Sequence, residues 1–184
     1  HGDQLIETSA GIDLVSDSAE LVTGNLEHMV LSRVDRLPAE QKSLLQVAAA
    51  IGRDFSESLL HRASGTDTPL TDLDGLIAPL DKDQWQFSHA LIRDAVYGSL
   101  LSGQREKVHG QIAAALEKQS TNNALLADHF HKANNQSKTV HYLILSAQQS
   151  HKSYALNDVD ETLDLALTLL EADPSLTDGQ TFAD

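Results

Sequence analysis

The stretch Trp85–Leu101, WQFSHALIRDAVYGSLL, changes period in its middle. Trp85-Gln86-Phe87 alternates as a half-buried strand does, whereas Ile92, Val96 and Leu100 recur at the helical spacing of four. His89 stands where the period changes, and Trp85 is the only tryptophan of the chain. A strand ends and a helix begins here. Trp85 and Phe87 are expected to pack on Leu91 and Ile92, and His89 either bonds backbone at the junction or touches something beyond it.

Reading backward, Asp81-Lys82-Asp83 is a turn signal, which makes the strand part of a small hairpin or wing. Thr68-Pro69 is a cap followed by a first-turn proline, with Leu70, Leu73, Ile77 and Leu80 on one face. A helix is therefore expected over Pro69–Leu80. Ser56 can cap a shorter helix carrying Leu59, Leu60 and Ala63, closed by Gly65. Pro38 opens another, with Leu44, Val47, Ala48 and Ile51 on its apolar face and Gly52 as its stop. From Thr23 the spacing of Leu26, Met29, Val30, Val34 and Leu37 is helical too. Residues 1–22 are polar and weakly periodic, with a short hairpin pairing Leu5-Ile6 with Ile12-Asp13-Leu14. Helices, a small hairpin and one more helix together describe a winged-helix-like domain over residues 23–101.

Downstream of Gly103 the pattern is helical throughout. Val108, Ile112, Ala115 and Leu116 form one stripe, and Leu126, Phe130 and Ala133 the next. Val140, Leu143, Ile144 and Ala147 follow, then Val159, Leu163, Ala166, Leu167 and Leu170 with Asn157 as N-cap. Short polar connectors such as Asn134-Asn135-Gln136 join them as in antiparallel helical hairpins. The fold class is thus mainly α: the winged-helix-like domain, then an α-solenoid of helix pairs over residues 102–184.

Composition narrows the function. Aromatic residues are 4% of the 184, and the apolar content is mostly Leu, Ala, Val and Ile, as helices prefer. The absence of cysteine excludes disulfides, thiolate catalysis and Cys-ligated zinc. No apolar run is long enough to cross a bilayer and no charged-then-apolar leader opens the chain, so no membrane contact and a cytoplasmic location are expected. The start at His1-Gly2-Asp3, without Met, leads us to expect an excised piece of a longer chain.

Net charge is −14, from 13 Lys and Arg against 27 Asp and Glu, and Asn157–Asp184 holds no Lys or Arg at all. Such a surface repels a phosphate backbone. In a winged helix the helix before the wing enters the major groove. Here that helix would carry Asp72 and Asp74 and no basic residue, so nucleic acid is not an expected partner. There is no G-x-x-x-x-G-K-[ST] loop for a nucleoside triphosphate and no G-x-S-x-G elbow, so no catalytic residues are assigned. His129 and His131 lie two apart, in different directions on a helix. They read as surface and boundary histidines, and no metal is expected.

Three ordered segments carry a resemblance: LSRVDRLPAEQKSLLQVAAAIGRDF (Leu31–Phe55), FSHALIRDAVYGSLL (Phe87–Leu101) and ALLADHFHKAN (Ala124–Asn134). Together, over roughly residues 21–155, they resemble the region downstream of the ATPase module in bacterial STAND-class signalling ATPases. Those attached to class III adenylate/guanylate cyclase domains are the most similar, and regulators of the MalT and LuxR-like type are more distant. The resemblance implies that residues 1–22 are the tail of an ATPase lid, 23–101 a winged helix, and 102–184 the start of tetratricopeptide-like repeats. Tyr154–Pro174 loosely resembles a repeat's second helix, with small-residue spacing that departs from the consensus.

The resemblance also implies a role for His89. In such ATPases a winged-helix His within a Met-His-Asp motif contacts the β-phosphate of ADP and holds the closed state. Ser88-His89-Ala90 lies on that motif, with Ser88 in the Met position and Ala90 in the Asp position. The implied function is a non-catalytic regulatory segment without a cofactor of its own, ATP or ADP belonging to the full-length parent. Its implied partners are proteins: the parent's ATPase domain, an effector such as a nucleotide cyclase, or another protein ligand. The other readings are a stand-alone helical adaptor whose acidic surface docks a basic partner and, more remotely, a winged-helix transcriptional regulator.

Overall fold

The computed structural model describes residues 28–70, 73, 75–152, 156–173 and 176. The hairpin expected within residues 1–22, the first turn from Thr23, Asp72 and Asp74 lie outside them. The described residues are mainly helical, with a three-stranded antiparallel sheet among them. A helix over 28–34 (α1) precedes α2 (Ala39–Ile51), β1 (Asp54–Ser56) and α3 (Glu57–Ser64). The hairpin β2 (Ile77–Asp81) and β3 (Gln84–Phe87) leads into α4 (Ala90–Gly98). Then come α5 (Ser102–Glu117), α6 (Asn123–Lys132), α7 (Gln136–Lys152) and α8 (Leu156–Ala172).

Pro38 precedes α2 as its N-cap rather than its first turn, and Gly52 ends the helix as expected. The apolar residues of α2 exceed one stripe. Leu44, Leu45, Val47, Ala48, Ala49 and Ala50 are all buried, because the helix lies among α3, α4 and α5 at once. Ser56 caps α3 by accepting from Leu59 N at 3.2 Å, and Gly65 closes it in the left-handed conformation at φ 72.

The helix expected over Pro69–Leu80 is corrected. Among the described residues of that run, Leu70 stands in a short 3-10 turn and Ile77–Asp81 is strand β2. The physical reason lies in Gly75, whose φ of +75 breaks any helix before Ile77, and in Pro79, which a helix interior would not accept. The strand order is β1-β3-β2, so Pro79 sits on an edge strand where its missing N–H costs nothing. Leu70, Leu73, Leu76 and Ile77 are buried all the same, whereas Leu80 is 56% exposed.

The central strand β3 pairs antiparallel with both neighbours. Phe55 faces Trp85 and Asp54 faces Gln86 on one side; Ile77 faces Phe87 and Pro79 faces Trp85 on the other. Phe55 and Phe87 are diagonal neighbours with ring centroids 5.8 Å apart, both inside the main core. That core joins Val34, the α2 residues, Leu60, Leu73, Ile92 and Val96 to Val108, Ile112 and Ala115 of α5. Helix α5 thus shares the sheet's core, with no break at residue 101.

From α5 onward, consecutive helices pack on one another: α5 on α6, α6 on α7, α7 on α8. The turn between α6 and α7 puts Asn134 in the left-handed region at φ 57, and Asn135 Oδ1 accepts from Lys138 N at 3.1 Å to start α7. Helix α8 begins at Leu156, one residue before the cap expected at Asn157. Its Ala166 is buried with Ala127 and Leu143, while Leu167 is 55% exposed and Ile144 of α7 is 40% exposed. No helix among the described residues is long and apolar enough to cross a membrane.

Gly75 offers a direct test of the corrected segment. A Cβ there would lie 3.0 Å from Arg33 Nη2 in addition to the strain at φ +75. Gly75→Ala is expected to lower stability by about 1 kcal/mol or more in urea unfolding. Gly65→Ala, at a similar φ with open space around it, should show the backbone strain alone and cost less.

Candidate functional site

The strand-to-helix junction is built from backbone bonds on both sides of β3. Phe87 N donates to Arg53 O at 2.9 Å, and Ser88 N donates to Leu76 O at 3.0 Å. With the chain pinned there, His89 adopts an extended conformation and becomes the N-cap of α4. Its Nδ1 accepts from Leu91 N at 3.3 Å, and its carbonyl accepts from Ile92 N at 3.0 Å. An imidazole that accepts at Nδ1 while neutral carries its proton on Nε2. His89 is exposed, so its ring is positioned by the junction and its donor is available to a group outside the chain.

Arg93, one turn into α4, donates from Nε to Ala49 O at 2.9 Å and from Nη1 to Asp94 Oδ1 at 2.9 Å. It therefore clamps α4 to α2 while pairing with its neighbour. Phe87 packs in the same core as Ile92. Trp85 is half-buried, and its indole N–H donates to Glu57 Oε2 at 2.9 Å, which ties the hairpin to the start of α3 rather than to α4.

The hairpin turn adds a second tie to α3. Asp83 accepts from Ser56 Oγ at 2.7 Å, from Ser58 N at 3.0 Å and from Ser58 Oγ at 2.9 Å, and its carbonyl accepts from Glu57 N at 3.0 Å. The hairpin turn thus supplies acceptors to the orphan N–H groups of another helix. These bonds, from Ser56 first, hold the Asp83 carboxyl below its ordinary value of 3.8.

A second cluster lies where sequence reasoning did not place one. His109 of α5 and His129 of α6 are buried at 2% and 3% exposure, with Nδ1 facing Nδ1 at 2.9 Å. Tyr97 of α4 reaches His109 Nε2 at 2.9 Å, and Arg93 and Arg105 each place a guanidinium 4.9 Å from its ring centre. Burial pushes the His109 imidazole down to about 4, and lowers His129 as well. The expectation of surface and boundary histidines therefore fails for His129, while His131, two residues on, is exposed. A signal was present: His109 falls three residues before Ile112, and His129 three after Leu126, on the buried faces of their helices.

Glu117 makes a third junction, between the end of α5 and the start of α7. It accepts from Lys138 Nζ at 2.8 and 2.9 Å and from Tyr142 Oη at 2.7 Å, beneath the Phe130–Tyr142 stack. Burial and then Glu117 push the Tyr142 hydroxyl up to about 12, so it stays a donor. Among the described residues, no group of three or more His, Asp or Glu could hold a metal ion.

The hairpin turn gives a clear expectation. Ser56→Ala should cost about 1 kcal/mol, read in urea unfolding, with faster hydrogen exchange in the first turn of α3. The Asp83 part has a definite sign: its carboxyl is lowered on folding, so its stabilisation is complete above about pH 4 and lost as pH falls through the folded value. Asp83→Asn should flatten that acid limb.

Compared with protein-family models, with curated proteins and with solved structures, the chain matches none.

Proposed function

We propose that this chain is a non-catalytic regulatory segment of a multidomain STAND-class signalling ATPase. It would couple the parent's nucleotide switch to a helical sensor surface and to an effector such as a nucleotide cyclase. The observation that supports this most is the placement of His89. Its ring is exposed at a junction held by two backbone bonds and a capped helix, with a donor available to a phosphate outside the chain. The order α2-β1-α3-β2-β3-α4 with sheet order β1-β3-β2 suits a winged helix, and the stacked α5–α8 helices suit tetratricopeptide-like repeats. The acidic balance of −14 suits a protein-facing module better than a DNA-facing one.

In this reading His89 supplies one contact to ADP held mainly by the ATPase domain, and the switch works because that contact exists in only one interdomain arrangement. The isolated chain should then bind neither ATP nor ADP. Calorimetry giving a micromolar Kd for the fragment alone would count against the reading. In the full-length parent, His89→Ala is expected to shorten ADP retention and raise basal output, and His89→Gln should restore part of the hydrogen bond. Unchanged retention and output in His89→Ala would remove His89 from the switch.

A further inference from the structure

We propose that the Tyr97–His109–His129 chain is a proton-sensitive latch on the seam between α5 and α6, closed while the imidazoles are neutral. The seam is where the sheet-bearing core meets the helical hairpins. On the core side, α5 is held by Val108, Ile112 and Ala115 in the main cluster. Toward α6 the apolar contact is small: Ala113, Leu126 and Phe130, with Leu116 and Tyr142 at its border. The two histidines are buried beside that small apolar contact, at 2% and 3% exposure.

Proton counting shows why the latch is sensitive. With Nδ1 facing Nδ1 at 2.9 Å, one ring must donate and the other accept. The two guanidiniums over the Tyr97 ring favour its hydroxyl as donor to His109 Nε2. His109 then carries its proton on Nδ1 and donates to His129, whose proton sits on Nε2. One added proton leaves a cation buried in the seam, and a second sets N–H against N–H and abolishes the bond between the rings.

The surroundings oppose the first proton. From α4 the pair faces Tyr97 and Arg93, and from α6 Asp128 and Lys132, while Arg105 of α5 lies over the Tyr97 ring. The lone carboxylate among these is already bonded to Lys132 at 2.8 Å. Helices α2 and α3 meet α5 through the apolar core, β3 carries no ionisable side chain, and Lys138 and His141 of α7 act on Glu117 instead. Asp128 favours an imidazolium on either ring, but burial outweighs it, so acid favours the form in which α6 has moved away and the rings are hydrated.

The sign follows from linkage. Both imidazoles are lowered in the closed form, so closure is fully favoured above about pH 6.5 and weakens as pH falls from there toward about 4. One proton taken up on opening makes the opening constant rise about tenfold per pH unit, and two make it rise about a hundredfold.

The experiment is hydrogen exchange of the whole chain from pH 7.5 to 4.5, corrected for intrinsic rates, with imidazole nitrogen NMR on the same samples. Expected are Nδ1–H on His109, Nε2–H on His129, and opening of α6 and α7 that rises at least tenfold per pH unit below 6 while α2 stays protected. The proposal is overturned if α6 and α2 respond to pH alike, or if both rings titrate near 6.5 with α6 still protected. His109→Leu/His129→Leu should abolish the acid response; an acid response of α6 that persists in the folded variant also overturns it. Should that variant not fold, the wild-type exchange and ring titration decide on their own.

Discussion

The burial of Phe87 is the constraint on which the first half of the molecule depends. It sits at the end of β3 with no exposed surface, against Phe55 from the neighbouring strand and Ile92 and Val96 from the following helix. Truncating such a side chain to Ala typically costs about 3–5 kcal/mol. Its backbone N–H is spent on Arg53 O, so ring and main chain are fixed together. Once Phe87 is fixed, the next two residues have no freedom to wander. Ser88 bonds Leu76, and His89 turns the extended chain into α4. The exposure of His89 is thus a consequence of core packing two residues away.

The tip of the hairpin, exposed from Pro79 to Gln84, lies outside that core and could still swing. Polar bonds at its turn prevent this. Asp83 and Trp85 both reach the start of α3, one by accepting from Ser56 and Ser58 and one by donating to Glu57. Helix N-termini need acceptors, and this one draws them from a turn some 25 residues downstream in sequence. A similar economy recurs at Glu117, which takes donors from two residues of α7. At these two junctions a polar tie accompanies the apolar contact, and the tie fixes orientation where the apolar contact alone would tolerate sliding.

Helix boundaries and caps were legible because they rest on local chemistry. Ser56, Gly52 and Gly65 do in the fold what their types imply, and the period change at His89 marks a real junction. The segment after Pro69 was misread for an equally physical reason. Leu70, Leu73, Ile77 and Leu80 match a helical spacing, yet Gly75 and Pro79 within the same run favour a break and an edge strand. Punctuation should have outranked periodicity there. The burial of the two histidines was legible, but their pairing was not. His109 and His129 are 20 residues apart, and only the stacking of α5 on α6 makes them one group. Trp85 likewise found its partner in α3, 28 residues upstream, where no local pattern could point.

Helix α5 gives the molecule its two-part character. One side of it is buried in the core built around Phe87, and the other carries His109, Ala113 and Glu117 toward α6 and α7. Any displacement of the helical hairpins relative to the sheet must therefore pass through this helix or along its α6-facing side. The first route would break a large apolar cluster and carries a high cost. The second breaks a small apolar cluster together with the imidazole bond and the Glu117 ties. Relative motion, if a partner or ligand drives it, concentrates at that side of α5, and the groups that resist it there are mainly titratable. Tyr97 reaches the same place from the other side, because it extends from the helix that His89 caps to the ring of His109.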